Sequence, residues 1–206
     1  MTKTDLCARC AKPLSVCFCA ELKPRETRLR VLILQHPQEP KETLGTARLA
    51  LLLLARAELK VGLSWRNLSA ALGSEAKPPN WAVLYLGAHG AATAPGRALM
   101  SFVDKKGVPL KDSSRIAENL EGLVVLDGTW SQAKALWWRN PWLLKLKRAV
   151  LSPPRPSLYG RLRREPRREC LSSIESIAYS LEALGEDPQV SESLISAFQK
   201  LLERVS

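Results

Sequence analysis

A four-residue apolar segment followed by a tight turn restricts the fold of this chain most strongly. Residues 123–126 read Leu-Val-Val-Leu, and Asp127 and Gly128 come directly after them. A strand without polar residues is typical of a parallel sheet, because helices cover both faces of such a sheet. We therefore expect this segment to be a central strand and the turn after it to lead into a helix.

Further predicted strands and helices alternate along the rest of the chain. Apolar runs rich in β-branched or aromatic residues predict further strands. These runs lie at 29–35, 81–86 and 149–151, with a hairpin over 98–110. Helices are predicted at 45–59, 129–138, 173–185 and 189–205. Strands that alternate with helices predict an α/β fold with a mostly parallel sheet and flanking helices.

The composition is that of a globular protein with an anionic partner. Its 206 residues are 46% hydrophobic and 25% charged, which argues against disorder of the whole chain. The longest apolar run, 49–55, is too short to span a membrane. The first twenty residues hold no apolar stretch of signal-peptide length, so we expect a cytoplasmic protein. The formal net charge of +11 favours nucleic acid as the partner, and no protein partner is predicted.

Four of the five cysteines lie close together in the chain. Cys7, Cys10, Cys17 and Cys19 follow the spacing C-x2-C-x6-C-x-C. Two tight turns that each present a pair of thiolates can surround zinc, and four thiolates leave no position for a catalytic water. Disulfides and free thiols are the alternatives, and a reducing compartment disfavours disulfides. We expect a structural zinc knuckle over 1–24, followed by the main domain over 25–206.

The turn after the central strand is the leading candidate for a functional site. Asp127 ends the strand, Gly128 permits a tight turn, and Thr129 with Gln132 fits a helix capping box. The carboxyl end of a parallel strand beside a helix N-terminus is where α/β proteins place ligands. A ligand site and a simple helix cap both explain the pattern. The sequence contains no glycine-rich dinucleotide or P-loop motif, so a ligand must be held by another arrangement.

Two further motifs gain meaning only if they meet this turn in space. Ser172 and Glu175 form a second capping-box pattern ahead of an apolar helix. The segment 35–39 reads Gln-His-Pro-Gln-Glu, follows the first predicted strand and contains His36, one of two histidines in the chain. A lone histidine is more often structural than catalytic.

A basic, proline-containing segment includes the last predicted strand and continues beyond it. Between residues 139 and 169, ten Lys and Arg residues stand against two Glu residues, a net charge of +8. An extended arginine-rich loop suits RNA phosphates, and aromatic side chains nearby can stack on bases. A solvated charged surface is the alternative for this segment, and tryptophans are more often core residues than stacking surfaces. The predicted RNA-binding residues are Arg155, Arg161, Arg163, Arg164, Arg167 and Arg168, with Tyr159, Trp137, Trp138 and Trp142 as candidates for stacking.

Taken together, these motifs resemble the DTW-domain family, a branch of the SPOUT-like enzymes that use S-adenosylmethionine. The resemblance rests on the four cysteines and on the segments 35–39, 84–86, 126–133, 162–166 and 171–176, in that order along the chain. The chain departs from the family pattern at Leu86, where proline is usual, and at Ser173 and Ser176, where threonine and alanine are usual. It also reads Glu-Thr-Leu-Gly-Thr over 42–46, where the family commonly has Asn-Thr-Gly.

The resemblance implies an activity and a set of site residues. The implied enzyme moves the 3-amino-3-carboxypropyl group of S-adenosylmethionine to N3 of a tRNA uridine and releases 5'-methylthioadenosine. It implies a knotted α/β catalytic domain and makes Asp127 the candidate base or N3–H acceptor. The expected cofactor-binding residues are Leu84, Tyr85, Leu86, Leu126, Gly128, Thr129, Trp130, Ser131, Gln132, Leu171, Ser172, Ser173 and Glu175. An S-adenosylmethionine-dependent RNA methyltransferase and a non-enzymatic, zinc-containing RNA-binding protein remain as alternatives.

Overall fold

A six-stranded, mostly parallel sheet forms the centre of the protein. The computed structural model describes residues 5–41, 44–85, 99–160 and 171–205. The strands are β1 (Arg30–Gln35), β2 (Ala57–Val61), β3 (Trp81–Leu84), β4 (Met100–Val103), β5 (Gly122–Asp127) and β6 (Lys147–Leu151). Their order is β2-β1-β5-β3-β6-β4, and only β4 runs antiparallel to its neighbour. The predicted α/β class with a mostly parallel sheet is confirmed.

Helices cover both faces of this sheet. They are α1 (Ala47–Leu53), α2 (Leu68–Leu72), α3 (Ser113–Glu118), α4 (Trp130–Arg139), α5 (Ser173–Ala183) and α6 (Pro188–Val205). On β5, Leu123 and Val125 belong to the core shared with α1, α5 and α6, whereas Val124 and Leu126 belong to the core shared with α2 and α4. Because successive strand residues point to opposite faces, a strand covered on both sides can carry no exposed polar residue.

The segment predicted as one helix over 45–59 is in fact a short helix followed by a strand. Helix α1 ends at Leu53, and β2 pairs in parallel with β1 at the edge of the sheet. The Ala and Leu residues of this segment favour a buried helix. Its second half instead forms the edge strand, on which Glu58 and Lys60 form an ion pair at 3.2 Å. Pairing with β1 therefore overrides the local helical preference.

The remaining predicted elements agree with the structure more closely. The hairpin expected over 98–110 is present in its described part, where Val103 pairs with Pro109 and the Leu110 amide donates to Phe102 O at 2.8 Å. The strand predicted to reach residue 86 ends at Leu84. Two short helices, α2 and α3, were not predicted from the sequence.

The cysteine-containing segment packs directly against the helical layer. Cys10, Phe18 and Cys19 are buried in the same core as α5 and α6. From α6, Arg204 donates to Cys17 O at 2.8 Å, and Lys200 forms an ion pair with Glu21. The segment thus sits on the face of the sheet that α6 covers. Among the described residues, no helix is long and apolar enough to cross a membrane.

Candidate functional site

Asp127 lies where three of the sequence motifs meet. It is the last residue of β5 and is only 4% exposed. Its Oδ2 accepts a hydrogen bond from Gln35 Nε2 at 2.7 Å, and its Oδ1 accepts one from Ser173 Oγ. The His36 amide also donates to the backbone oxygen of Asp127 at 2.9 Å. The ends of β1 and β5 and the beginning of α5 are therefore brought together around one buried carboxylate.

Thr129, and not Asp127, caps helix α4. The Thr129 amide donates to Gln132 Oε1 at 2.6 Å, and the Gln132 amide donates to Thr129 Oγ1 at 3.4 Å, which completes the predicted capping box. Gln132 Nε2 also donates to Gln38 Oε1 at 3.0 Å, which connects segment 35–39 to helix α4. The Asp127 carboxylate is therefore not needed to cap α4, and helix capping does not explain why it is buried here.

Gly128 allows the chain to pass closely between β1 and α4. A Cβ atom at this position would lie 2.8 Å from Gln132 Cβ and 3.4 Å from His36 Cβ. The first of these separations is shorter than side chains tolerate, so a larger residue would push the capping box away from Asp127. The glycine thus keeps the three motifs in contact.

The second capping box anchors the other side of the site. Ser172 caps α5, and the buried Glu175 carboxylate accepts bonds from the Ser172 amide at 2.9 Å and the Ser172 hydroxyl at 2.7 Å. It also accepts bonds from Ser157 Oγ at 2.7 Å and the Leu158 amide at 2.8 Å. Four donors thus engage a fully buried carboxylate, which gives Glu175 a role in holding segment 157–158 against α5.

The other expected cofactor-binding residues occupy the same edge of the sheet. Leu84 ends β3, Leu126 precedes Asp127, and Trp130 and Ser131 form the first turn of α4. Leu171 comes just before the Ser172 cap and is half-buried. Leu86 lies outside the described residues.

Tyr85 follows β3 and joins an aromatic and cationic cluster. Its ring centroid lies 5.3 Å from that of Trp137, and the Arg148 guanidinium lies 5.2 Å from the Tyr85 centroid and 5.7 Å from that of Trp137. A cation over an aromatic face is attracted by the ring quadrupole, so this cluster fixes the Tyr85 ring over α4.

The described residues include only the first part of the basic segment. Arg155 Nε donates to the Tyr179 hydroxyl at 2.7 Å, while Arg161, Arg163, Arg164, Arg167 and Arg168 lie outside the described residues. The expectation that Tyr159 is available for stacking on bases is wrong, whereas Trp142 is a core residue, as tryptophans more often are. Tyr159 is buried, bonds to Leu44 O at 2.7 Å and packs edge-on against Phe198, and Trp142 is buried in the second core. Trp138, in contrast, is 78% exposed.

The four cysteines form a cluster that fits a metal ion. Their sulfur atoms all lie within 4.8 Å of one another, with Cys7 to Cys19 at 4.0 Å and Cys10 to Cys17 at 3.7 Å. Zinc–sulfur bonds of about 2.3 Å in a tetrahedron place the sulfurs about 3.8 Å apart, and a disulfide needs about 2.05 Å. Hydrogen bonds from the Cys10 and Arg9 amides lower the pKa of Cys7 to about 6, whereas burial raises the pKa of Cys10 and of Cys19. The donor set therefore suits a closed, four-thiolate metal site.

Lys12 connects this cluster to the Asp127 site. The residue is 4% exposed, and its Nζ donates to the backbone oxygen of Gly45. The next residue, Thr46, accepts a bond from the Ile174 amide at 3.2 Å, one residue from the Ser173 that contacts Asp127. Burial lowers the pKa of Lys12 to about 8, while the nearby Cys10 and Asp127 oppose that change and Arg48 adds to it.

No pattern in the sequence predicts that Lys12 lies near the site. Gln35 is identified from the sequence only as part of a motif, without a role. Gln35 shows a signal, because a polar residue that ends an apolar strand beside another strand end is expected near a ligand. Lys12 has no such signal, since its position depends on how the cysteine segment packs against the residues that precede α1.

The protein is thus an α/β protein with a buried carboxylate at the ends of two parallel strands, beside two helix N-termini. This is the part of a parallel sheet where α/β proteins commonly bind ligands. The family model for the DTW domain matches residues 4–206. The chain therefore belongs to the DTW domain family, and the resemblance predicted from the motifs is confirmed. No solved structure shows significant similarity to it.

Curated relatives match almost the whole chain. The tRNA-uridine aminocarboxypropyltransferase 2 of Macaca fascicularis is 28% identical over 200 residues, covering 95% of this chain and 61% of the relative. The protein of the same name from Drosophila melanogaster is 28% identical over 212 residues, covering 97% and 74%. The tRNA-uridine aminocarboxypropyltransferase A of Arabidopsis thaliana is 25% identical over 221 residues, covering 97% and 80%. The chain thus spans 61% of the length of the macaque relative.

Proposed function

We propose that this protein transfers the 3-amino-3-carboxypropyl group of S-adenosylmethionine to N3 of a uridine in tRNA and releases 5'-methylthioadenosine. The observation that carries the proposal is the meeting of three motifs at the buried carboxylate of Asp127. The activity named for the relatives in three organisms supports the same reaction.

The site contains groups that suit a polar donor molecule. Gln35 is 3% exposed, and its Oε1 has no hydrogen-bond partner among the described residues. A buried hydrogen-bond acceptor that receives no hydrogen bond costs free energy. A ligand that donates a hydrogen bond to Gln35 Oε1 would therefore stabilise the site. We assign the contacts with S-adenosylmethionine to the first turn of α4, the end of β3 and the beginning of α5. When bound, S-adenosylmethionine supplies a carbon that is activated by the adjacent sulfonium leaving group.

In this proposal, Asp127 accepts the N3 proton of the uridine that receives the transferred group. Uridine N3–H is a weak acid, so N3 attacks readily only when its proton is accepted or firmly oriented. We propose that the Asp127 carboxylate accepts this proton as the N3–carbon bond forms and the carbon–sulfur bond breaks. Gln35 and Ser173 hold the carboxylate in one orientation, which keeps the acceptor oxygen in place for the reaction.

The proposal also includes the knotted core, the zinc knuckle and the tRNA-binding arginines that the resemblance implies. We take the parallel core to be SPOUT-like and knotted, residues 1–24 to form a zinc knuckle with a structural role, and residues 25–206 to be the catalytic domain. The arginines of segment 161–168, with Arg155, bind tRNA phosphates. Extruding a stacked uridine costs a few kcal/mol, so a loop uridine is the expected target. A cytoplasmic location fits the reaction.

Nucleoside mass spectrometry tests the proposal. Unmodified tRNA is incubated with the protein and S-adenosylmethionine, digested and analysed. The expected product is a uridine that carries the aminocarboxypropyl group, together with 5'-methylthioadenosine. A methylated nucleoside would instead identify a methyltransferase. An unmodified tRNA, with no binding of S-adenosylmethionine by calorimetry, would leave an RNA-binding protein.

A further inference from the structure

We propose that Gln35 binds the α-ammonium group of S-adenosylmethionine through its Oε1 atom, so that one side chain contacts both Asp127 and the group that is transferred. This inference rests on the proposed function, because it names the part of S-adenosylmethionine that Gln35 recognises. It also gives the segment 35–39 a role that its sequence does not reveal.

Gln35 and Asp127 lie side by side on one face of the sheet. They are paired in register at the ends of β1 and β5. Two residues earlier, Ile33 and Val125 belong to the core shared with α1, α5 and α6. Because every second residue of a strand points to the same face, Gln35 and Asp127 point toward this layer of helices, where Ser173 begins α5.

The orientation of the Gln35 amide follows from its bond to Asp127. An ionised carboxylate only accepts hydrogen bonds, so the amide atom that faces it at 2.7 Å is the Nε2 donor. This orientation directs Oε1 away from the carboxylate. Gln35 is 3% exposed, and its Oε1 receives no hydrogen bond within the part of the chain that the structure describes. The site thus presents a buried acceptor beside Asp127.

The side chains around Asp127 cannot supply the missing hydrogen. The ionised carboxylate has none to donate, and the Ser173 hydroxyl donates its single hydrogen to Asp127 Oδ1. A buried acceptor that stays unbonded costs free energy. A bound substrate that donates to Gln35 Oε1 therefore removes this cost.

The uracil ring cannot supply this hydrogen either. In the proposed reaction, its N3–H bonds to Asp127. The groups on both sides of N3 are carbonyl oxygens, which only accept hydrogen bonds. If Gln35 Oε1 were turned toward the ring, two acceptors would face each other. The hydrogen is therefore expected from S-adenosylmethionine.

The α-ammonium is the hydrogen-bond donor of S-adenosylmethionine that lies nearest to the reacting carbon. Three bonds separate it from the carbon that N3 attacks, whereas the ribose hydroxyls and the adenine amino group lie beyond the sulfonium. In a reactive arrangement, N3 lies about 3–3.5 Å from this carbon and within hydrogen-bond reach of the base. The reaction itself therefore brings the ammonium close to Asp127 and to the neighbouring Gln35.

The chemistry of the ammonium suits a neutral acceptor in a buried position. Hydrogen bonds from a charged donor are about twice as strong as those between neutral groups. The carboxylate on the same carbon balances the charge of the ammonium. This end of the molecule thus brings no net charge into the buried corner beside Gln35.

Ligand dissection with the full-length protein tests this assignment. Calorimetry measures the affinity for S-adenosylmethionine, for its desamino analogue, in which hydrogen replaces the ammonium, and for 5'-methylthioadenosine. A hydrogen bond to a charged group corresponds to about 10- to 100-fold in affinity, so the wild type should prefer S-adenosylmethionine over the desamino analogue by this factor. Gln35→Met should lose most of this preference, and its affinity for 5'-methylthioadenosine should change by less than about twofold.

Gln35→Lys separates the acceptor from the bond to Asp127. A lysine at this position donates to the carboxylate but offers no acceptor. Its charge attracts the carboxylate that S-adenosylmethionine and the desamino analogue both carry, so the comparison between these two ligands still reports on the ammonium. We expect Gln35→Lys to lose the preference as Gln35→Met does. This variant also keeps the test valid if Gln35→Met does not fold.

Two further variants provide matched controls. Ser173→Ala removes the other bond to Asp127 but leaves Gln35 Oε1 in place, so it should keep the preference for S-adenosylmethionine over the desamino analogue. Gln189→Met makes the same change as Gln35→Met at an exposed glutamine and should bind all three ligands as the wild type does. The melting temperature of each variant is measured to detect structural damage.

Four results would overturn the inference. The first is a wild-type protein that binds S-adenosylmethionine and the desamino analogue equally. The second is a folded Gln35→Met or Gln35→Lys protein that keeps the wild-type preference. The third is an equal loss of affinity for all three ligands, which would mark a purely structural glutamine. The fourth is the same loss of preference in Ser173→Ala, which would show that Gln35 acts only through Asp127.

These results are distinguishable from a failure of the proposed function. Each of the four refutes the inference alone if the wild type still transfers the aminocarboxypropyl group to tRNA. A wild-type protein that binds none of the three ligands refutes the proposed function as well.

Discussion

Replacing Asp127 with asparagine separates catalysis from structure, because the surrounding bonds can adapt. Asp127 accepts one bond from Gln35 Nε2 and one from Ser173 Oγ. Asparagine keeps one oxygen for Ser173 and places an NH2 group toward Gln35. In the ligand-free protein, the Gln35 amide can turn over and accept that new donor, because its Oε1 has no other partner among the described residues. We therefore expect Asp127→Asn to lose no more than about 1 kcal/mol of unfolding free energy.

The chemical step should respond far more strongly than the fold. Asparagine removes both the basicity and the negative charge, and loss of a general base costs about 10²–10⁴ in rate. Single-turnover transfer to tRNA with saturating S-adenosylmethionine should slow at least about a hundredfold while both substrates still bind. Higher pH should restore part of the rate, since more uridine then ionises without a base.

The result that would refute this reasoning is a rate close to wild type. Asp112→Asn, the same change at an exposed residue, provides the control and should leave the rate unchanged. A rate for Asp127→Asn within about threefold of wild type corresponds to less than about 0.7 kcal/mol of barrier. Asp127 would then have no part in the chemistry, and positioning of the two substrates would carry the reaction.

Three further perturbations test other parts of the structure. Cys17→Ser should lose stoichiometric zinc by metal analysis and lower the melting temperature, because a structural metal contributes its binding energy to folding; full metal occupancy would contradict this. Arg163→Ala with Arg164→Ala should weaken tRNA binding and reduce the salt slope by about one unit per lost phosphate contact, whereas unchanged affinity at two salt concentrations would indicate a solvated surface. Glu175→Gln should cost about 3 kcal/mol in denaturant unfolding, because an amide turns a donor toward groups that need an acceptor; a cost below about 0.5 kcal/mol would show that its four bonds are weak.

The central part of the site could be predicted from sequence because the pattern there is local. The apolar run before Asp127 marks a strand covered on both faces, and the two capping boxes mark where α4 and α5 begin. These signals depend on residues within a few positions of one another. They place Asp127 at a strand end, but they do not reveal that Gln35 and Ser173 are its partners.

Features that depend on distant parts of the chain could not be predicted in this way. The composition of the segment after α1 predicts a helix, and only its pairing with β1 makes it a strand. Tyr159 was assigned to an RNA surface because of its basic neighbours, yet the space beside Phe198 buries it. The contact of Lys12 with Gly45 joins residues 33 positions apart. In each case tertiary packing decides, and no short-range pattern records it.

The order of the strands has a consequence for how the protein is assembled during synthesis. β1 and β3 both leave the ribosome before β5, yet neither pairs with the other, and β5 lies between them. Until residue 127 has emerged, each of them presents an unpaired apolar edge, which is the kind of surface that promotes aggregation. A nascent chain stalled before β5 should accordingly depend on chaperones more than one stalled after it. The strand that closes this gap is also the one that carries Asp127. The site is completed only later, when β6 has joined β4 to the sheet and α5 has brought Ser173 to the carboxylate.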